Sequence, residues 1–394
     1  MPRPPEAREA TLDELRDKMA AILGRPVAPP RPPADPALSS LPFARVETEH
    51  GALYERIERL APSRHVGRMP VDAATAASDE LLALLALDPG LAGVDPKRAL
   101  YLDTETTGLG GGAGVLAFLV GLLWFDADDR PVLEQLLLRR PGEERALLAR
   151  VEERLSAASA VVTYNGKSFD LPLLATRRVM NKLSPLPSRP HLDLLHVARR
   201  LHRRRLSACK LTTLESEVLG FVRGPDIDGG EVAARYGHYL RSGDESALAA
   251  VVEHNAWDVV TMAALVGLYG EPMTTLHRED LVDLARTFRR ARDLDRARDA
   301  AEAAVGSGVG PDALRVRGEI AKARGDRARA LADFEALAAD VDEPAVRLEL
   351  AKLYEHHVKE PVRALALVEQ GTGEAPEALE RRRARLTRKI AKGK

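Results

Sequence analysis

The sequence is poor in cysteine and in long apolar runs. Its 394 residues include one cysteine, Cys209, so an intramolecular disulfide and a cysteine-based zinc site are excluded. The longest apolar run, Val115 to Phe125, has 11 residues, which is too short to span a bilayer. No basic and then apolar signal segment opens the chain. We therefore expect a cytoplasmic protein that makes no contact with a membrane.

The chain also lacks a dominant charge. Its 58 basic residues nearly balance its 59 acidic residues, which gives a net charge of −1. The overall charge therefore gives no indication of a nucleic-acid partner, and any such indication must come from local clusters. With 45% hydrophobic residues, a chain of this length can form two or three domains.

An acidic pair follows the apolar run Ala99–Leu102. Asp103 and Glu105 lie two residues apart, so on a strand both side chains project from the same face. Two buried carboxylates that close are unfavourable unless a cation lies between them. The pair therefore indicates a site for a hard, oxygen-preferring cation such as Mg²⁺ or Mn²⁺. The alternative from these residues alone is a solvated strand end.

Two later segments carry further acidic residues. Residues 161–174 have the pattern of a short strand, a glycine-containing turn and a helix that bears Asp170. Residues 254–268 have the pattern of an apolar helix, on which His254 and Asp258 share one face because they are four residues apart. The chain thus offers four candidate carboxylates and one histidine.

These three segments resemble the three exonuclease motifs of the DEDD superfamily, whose fold is ribonuclease H-like. The second segment, with Tyr164-Asn165 and Phe169-Asp170-x-Pro172-x-Leu174, is similar to the version in the proofreading domains of family B DNA polymerases. The runs at residues 103–109, 165–170 and 191–196 resemble the bacterial YprB-like ribonuclease H-like family more closely still. The resemblance covers residues 96–270, and it implies a ribonuclease H-like exonuclease domain there.

The third motif departs from the superfamily pattern, which is usually Tyr-x-x-x-Asp or His-x-x-x-x-Asp. Here His254 stands four residues before Asp258, at the spacing that tyrosine normally has. The departure concerns the residue that activates water and not the residues that hold metal.

The resemblance implies two Mg²⁺ or Mn²⁺ ions. Asp103, Glu105 and Asp258 would hold the ion that carries the nucleophilic water, and Asp103 and Asp170 would hold the other. His254 would then take the proton of the water, because its ordinary pKa lies near neutrality.

Several residues near these motifs are candidates for contacts with nucleic acid. Asn165 and Lys167 precede Asp170 and are placed to touch phosphate or the terminal nucleotide. The basic run 199–210 would form a track for the nucleic-acid backbone or a solvated helix face, and its centre is Arg203, Arg204 and Arg205. Asp193 would support the metal site or cap a helix.

The remaining pattern predicts an α/β architecture, a mixed sheet flanked by helices. We expect residues 1–37 to form an N-terminal helix and a proline-rich linker, and residues 38–95 to form a small extension of the nuclease domain. This extension contains a hairpin near Glu49-His50-Gly51 and a helix near Ser78 to Leu87. The expected core elements are strands 99–103, 115–125, 131–139 and 160–164 and helix 143–156, and we expect residues 108–114 to form a glycine-rich loop.

Residues 275–394 predict an all-α domain that resembles tetratricopeptide (TPR) repeats and ends in a basic tail. Three segments align on Arg298, Arg329 and Arg363, which are 31 and 34 residues apart. Such a stack either binds a protein partner or braces the catalytic domain.

Together these features predict a metal-dependent 3′→5′ exonuclease that acts on single-stranded 3′ ends of DNA, with repair as its setting. The direction and the DNA preference come from the resemblance. One alternative is an RNA-trimming exoribonuclease. Another is a TPR scaffold with an idle nuclease fold, against which the complete set of acidic residues argues.

Overall fold

The computed structural model describes residues 41–61, 63–108, 114–224, 227 and 229–392. The predicted N-terminal helix and linker, and the centre of the predicted glycine-rich loop, lie outside these residues. No helix in the described part of the chain is long and apolar enough to cross a membrane.

The centre of the fold is a seven-stranded mixed sheet with the order β1-β2-β7-β6-β5-β8-β9. Strands β8 and β9 run parallel to β5, and the other neighbouring pairs are antiparallel. A separate two-stranded hairpin is formed by β3 and β4. The strands are β1 (Ala44–Thr48), β2 (Gly51–Arg59), β3 (His65–Val66), β4 (Met69–Pro70), β5 (Ala99–Thr106), β6 (Ala117–Phe125), β7 (Pro131–Leu137), β8 (Ala160–Thr163) and β9 (His191–Asp193).

Six longer helices accompany the sheet. They are α1 (Asp79–Ala86), α2 (Glu144–Ala157), α3 (Asp170–Met180), α4 (Leu194–His202), α5 (Gly229–Ser242) and α6 (Ser246–Gly270). Short helical turns lie at Val71–Ala76, Pro89–Leu91, Pro96–Arg98, Leu211–Leu214, Glu215–Leu219 and Pro272–Thr275. The predicted mixed sheet flanked by helices is thereby confirmed.

The sheet has an apolar core on each face, because neighbouring side chains of a strand point to opposite sides. Leu100 and Leu102 of β5 belong to one buried cluster, whereas Tyr101 between them belongs to the other. Asp103 and Glu105 continue the Tyr101 face, and α6 packs on β5 and β6. The predicted strand 99–103 is three residues longer in the structure, so both carboxylates lie within β5.

The predicted hairpin at Glu49-His50-Gly51 is confirmed, with Thr48 paired to Gly51. Its second strand also pairs with β7, so the hairpin extends the main sheet, which the sequence did not predict. Helix α1 lies where predicted, and its first turn is capped by the Ser78 side chain, which accepts a hydrogen bond from Leu81 N at 3.3 Å.

The C-terminal region is all-helical, as predicted. Its helices are α7 (Asp280–Arg290), α8 (Leu294–Gly306), α9 (Pro311–Arg324), α10 (Arg327–Asp340), α11 (Pro344–Leu353), α12 (Pro361–Glu369) and α13 (Pro376–Lys392), with a turn at Tyr354–Val358. Leu284 and Phe288 of α7 share a buried cluster with Leu201 of α4 and Leu268 of α6. The first helices of this region therefore continue the core of the nuclease-like part.

The register of the predicted repeats needs one correction. The predicted alignment on Arg298 and Arg329 places Asp295 opposite Asp326, because each aspartate lies three residues before the aligned arginine. The capping residue of α8 is instead Asp293, which accepts a hydrogen bond from Arg296 N at 2.9 Å. Asp326 makes the same contact with Arg329 N at 3.0 Å. Asp293 is therefore equivalent to Asp326, because the cap marks the helix start and the Asp-Arg-Ala-Arg run does not.

Candidate active site

Strand β5 and helix α6 bring three of the predicted site residues together. Potential ligand atoms of Glu105, His254 and Asp258 all lie within 4.8 Å of one another. His254 Nε2 is 4.0 Å from Glu105 Oε1 and 3.6 Å from Asp258 Oδ2. His254 and Asp258 share a face of α6, as their spacing predicts, because one helical turn separates them.

Asp103 lies on β5 beside this group and is held by an amide. Its Oδ2 accepts a hydrogen bond from Asn255 Nδ2 at 2.9 Å. Asn255 Oδ1 in turn accepts a hydrogen bond from Gln135 Nε2 at 3.0 Å, and both amide side chains are fully buried. Gly121 pairs with Asp103 on one side and with Gln135 on the other. The missing side chain of Gly121 leaves the space that Asn255 fills.

Asp170 is the first residue of α3, and Thr104 of β5 orients it. The Thr104 hydroxyl donates a hydrogen bond to Asp170 Oδ1 at 2.5 Å. A second group of three or more ligand atoms, centred on Asp103 and Asp170, is not found among the residues that the structure describes. The preformed cluster is thus the one around Glu105, and the two-ion arrangement stays a prediction.

Three of the site carboxylates, Asp103, Glu105 and Asp170, hold their protons more tightly than ordinary acids. Burial, with the neighbouring charges of Asp258, Asp170 and Glu105, raises the pKa of Asp103 well above its usual range. Burial and the charge of Asp258 raise the pKa of Glu105 to about 7. Burial also raises the pKa of Asp170 to about 6, against the lowering effect of the Thr104 hydrogen bond. A divalent cation would favour the ionised forms.

The donor set fits such a cation. Carboxylate oxygens are the preferred ligands of Mg²⁺ and Mn²⁺, and the cluster adds one imidazole, a frequent ligand of transition metals. The described residues present no other cluster of this kind.

An arginine that the sequence reasoning missed completes the group. Arg223 forms two hydrogen bonds with the buried Glu215, and its Nη2 also contacts Asp258 Oδ1. Its Nη1 lies 3.4 Å from His254 Nδ1. The Arg223–Asp258 contact spans 35 residues of sequence, and no local pattern around either Arg223 or Glu215 signals it.

Comparison with known proteins places this site in a family. Residues 100–269 match a family model described as RNase_H superfamily. The chain is 32% identical over 318 residues to the protein named "Uncharacterized protein YprB" from Bacillus subtilis (strain 168), over 76% of each chain. The chain belongs to the YprB family. The family B DNA polymerase of the archaeon Pyrobaculum calidifontis aligns over 49% of this chain and 29% of its own, at 14% identity and a TM-score of 0.32, a likeness too low to support any argument.

Within this YprB-family domain, Asp193 caps a helix, which is one of the two roles considered for it, and its support of the metal site stays a prediction. Its Oδ1 accepts a hydrogen bond from Leu195 N at 3.1 Å and thereby caps α4. The same carboxylate accepts hydrogen bonds from Asn165 N at 2.9 Å and from Lys167 N at 3.1 Å. Asp193 therefore fixes the loop that leads into Asp170.

The two predicted contact residues of this loop differ in surroundings. Asn165 adopts a left-handed backbone conformation with φ of 70° and is half-buried. Lys167 keeps 40% of its side chain exposed, and its Nζ lies 3.8 Å from Asp88 Oδ2. The Lys167 ammonium remains available to a phosphate, because an exposed ion pair at this distance is weak.

The predicted basic track is partly occupied by the C-terminal helices. Arg205 donates two hydrogen bonds to Asp280, at 3.0 and 2.9 Å. Arg204 forms an ion pair with Asp312. Both carboxylates lie in the C-terminal helical region, so these two arginines join it to the nuclease-like part. Arg203 is exposed, and its contact with nucleic acid stays a prediction.

Proposed function

We propose that this chain is a metal-dependent nuclease that removes nucleotides from single-stranded 3′ ends of DNA. The supporting observation is the convergence of Glu105, His254 and Asp258 within 4.8 Å. This cluster lies inside the region that matches the RNase_H superfamily, and a divalent cation would favour the ionised forms of Asp103 and Glu105, whose pKa values burial raises.

In this proposal, Glu105 and Asp258 hold one cation together with Asp103, and Asp103 and Asp170 hold the other. Bound Mg²⁺ or Mn²⁺ supplies Lewis acidity towards the scissile phosphate. His254 takes the proton of the attacking water at Nε2, the ring atom that faces the carboxylates. Asn255 and Thr104 keep Asp103 and Asp170 oriented through their hydrogen bonds.

The substrate enters in this proposal along the loop before α3. Asn165 and Lys167 flank that approach, since Asp193 binds the backbone of both residues. The exposed Arg203 extends the positive charge towards a nucleic-acid backbone, whereas Arg204 and Arg205 contribute less because carboxylates already pair with them. Electrostatic attraction to phosphates predicts that binding weakens as salt rises.

We also propose that the C-terminal helices form TPR-like repeats that present a surface to a protein partner. The support is the succession of packed neighbours, α7 with α8, α9 with α10 and α11 with α12, together with the repeated caps Asp293 and Asp326. Each pair buries its apolar face against the next, as expected for stacked repeats.

The test is hydrolysis of DNA and RNA oligonucleotides labelled at either end, with Mg²⁺ or Mn²⁺. We expect DNA to be shortened from its 3′ end, with loss of activity in excess EDTA and in Asp103→Asn. Undiminished cleavage in EDTA would refute the metal-dependent mechanism. Shortening from the 5′ end would refute the direction, and cleavage of RNA alone would replace the proposed substrate.

A further inference from the structure

Arg223 is a buried cation beside the proposed metal site. Its Nε donates to Glu215 Oε2 at 2.7 Å, and its Nη2 donates to Glu215 Oε1 at 2.7 Å. Only 5% of the Arg223 side chain and 2% of the Glu215 side chain are exposed. This two-point contact exploits the planar fork of the guanidinium, which a lysine ammonium cannot reproduce.

The same guanidinium reaches two of the site residues. Its Nη2 donates to Asp258 Oδ1, while its Nη1 lies 3.4 Å from both Nδ1 and the backbone oxygen of His254. The other oxygen of Asp258, Oδ2, is 3.6 Å from His254 Nε2. The two oxygens of Asp258 therefore have different neighbours: Arg223 contacts one, and the other faces the cluster with Glu105.

Glu215 is itself anchored to the helix that carries the site. The hydroxyl of Thr261, which is fully buried on α6, donates to Glu215 Oε1. The backbone oxygen of Glu215 accepts a hydrogen bond from Phe221 N at 2.8 Å, which closes the turn that leads to Arg223. Arg223 is thus held between a fixed carboxylate and the site.

We infer that the Glu215–Arg223 pair is a positioning unit for the cation site. By occupying Oδ1 of Asp258, Arg223 leaves Oδ2 as the oxygen that the carboxylate presents to a divalent cation shared with Glu105. The pair also holds His254 beside that oxygen. The inference rests on the proposed function, because the cation is the one proposed there.

The opposite charges of Glu215 and Arg223 allow the orientation of Asp258 to be tested separately from the effect of charge on cation binding. Glu215 and Arg223 carry opposite charges, so replacing both with neutral residues leaves the net charge near the site unchanged. Arg223 is nearer to Asp258 than Glu215 is, so the loss of its positive charge alone would strengthen cation binding. Weaker binding in that double variant then reports the lost orientation of Asp258. Residues that orient metal ligands contribute about 10–100-fold to metal affinity.

The experiment is calorimetric titration of Mn²⁺ into the purified full chain. We expect Glu215→Gln/Arg223→Gln to bind Mn²⁺ about 10–100-fold more weakly than the wild type. Arg223→Lys retains the charge without the fork and is expected to weaken binding in the same direction. The matched control is Arg317→Gln/Asp333→Asn, which removes a two-point pair with a buried Asp333 from the C-terminal helices. It should lower the melting temperature and leave the Mn²⁺ affinity unchanged.

Unchanged Mn²⁺ affinity in a folded double variant would overturn the inference. If that variant does not fold, the Mn²⁺ affinity of Arg223→Lys is the test. A wild-type affinity in Arg223→Lys would show that only the positive charge matters and would overturn the inference. Failure of both variants to fold would make the pair a structural ion pair and would also overturn the inference. A wild type that binds Mn²⁺ but cleaves no oligonucleotide would refute the proposed function and leave the positioning role standing. Absence of Mn²⁺ binding by the wild type would refute both.

Discussion

The substitution Gly121→Ala tests how the structure holds Asp103. Asp103, Gly121 and Gln135 are paired neighbours on β5, β6 and β7. Asn255 lies over Gly121 and is hydrogen-bonded to both flanking side chains, at 2.9 Å to Asp103 and 3.0 Å to Gln135. A methyl group at position 121 would occupy the space of the Asn255 amide.

The size of the effect follows from the geometry. An alanine Cβ would lie 2.3 Å from Asn255 Oδ1 and 2.8 Å from its Cγ, which is far inside van der Waals contact. Because Asn255 is fully buried, it must move and break its hydrogen bonds. Overpacking of this kind costs ~1–3 kcal/mol, and an unsatisfied buried polar group adds ~1–3 kcal/mol. We expect the free energy of unfolding to fall by about 2–6 kcal/mol.

The assay is urea denaturation of Gly121→Ala, with Mn²⁺ titration of the folded variant. We expect weaker Mn²⁺ binding as well as lower stability, because Asp103 loses the hydrogen bond that orients it. Gly306→Ala is the control, since an added Cβ there meets no atom within 4 Å and the position lies at the end of α8. Alanine is favoured over glycine in helices by up to ~1 kcal/mol, so the control should be neutral or slightly stabilising.

A double-mutant cycle with Asn255→Ala gives the result that would refute this reasoning. Asn255→Ala removes the amide with which the new methyl group collides. The double variant should therefore be less destabilised than the sum of the single variants, by at least about 1 kcal/mol, as is usual for residues in contact. Additivity within ~0.5 kcal/mol, or a Gly121→Ala protein as stable as the wild type, would show that the space above Gly121 does not position Asn255.

Three further outcomes are expected. The pKa values of Glu105 and Asp170, raised by burial to about 7 and about 6, mean that the folded cation-free protein binds protons that the unfolded chain has released. The stability that these two groups contribute is therefore fully present below their unfolded pKa values and is lost as the pH rises through 6–7. Thermal unfolding should accordingly show a larger stabilisation by Mn²⁺ at pH 8 than at pH 5.5. Asp280→Ala should lower the free energy of unfolding by ~3–5 kcal/mol in urea denaturation, because it leaves the buried His202 and Arg205 without their shared carboxylate. In the oligonucleotide assay, His254→Ala should reduce turnover by roughly 10²–10⁴-fold if the histidine is the general base, and unchanged turnover would exclude that role.

Local periodicity explains why much of the fold could be predicted from the sequence. Consecutive residues of a strand alternate between its two faces, so the sequence alone predicts that Leu100 and Leu102 lie on one face and Tyr101 on the other. The same local rule places Asp103 beside Glu105 on β5, and the helical spacing places His254 beside Asp258 on α6. Each of these predictions needs only the geometry of one element.

The structural features that the sequence did not predict depend on contacts between distant segments of the chain. No sequence pattern near Gly121 predicts that the Asn255 amide of α6 will pack against it. No pattern near Arg223 predicts its contact with Asp258. The repeat register failed for a related reason. Similar runs were aligned at Asp295 and Asp326, but a helix begins where a side chain can satisfy free backbone N–H groups, which is at Asp293.

The basic run shows the same limit for charge patterns. A cluster such as Arg203, Arg204 and Arg205 indicates attraction to phosphate, but a sequence does not show which carboxylates will meet it first. In the fold, Asp280 and Asp312 pair with two of the three arginines. A local charge run therefore identifies candidates for contact with nucleic acid, and tertiary structure decides how many of them remain available.

The residues that orient Asp103 and Asp258 differ in charge, and the difference follows from the number of cations that each carboxylate would hold. Asp103 is held by the neutral amide of Asn255, which orients it without adding positive charge. In the proposed arrangement Asp103 serves both cations, so a fixed positive charge beside it would oppose binding of each ion. Asp258 serves one cation and is held through Oδ1 by Arg223, whose charge Glu215 balances. Both carboxylates are thus held firmly in place while the electrostatic potential at the centre of the site stays negative, as a site for divalent cations requires.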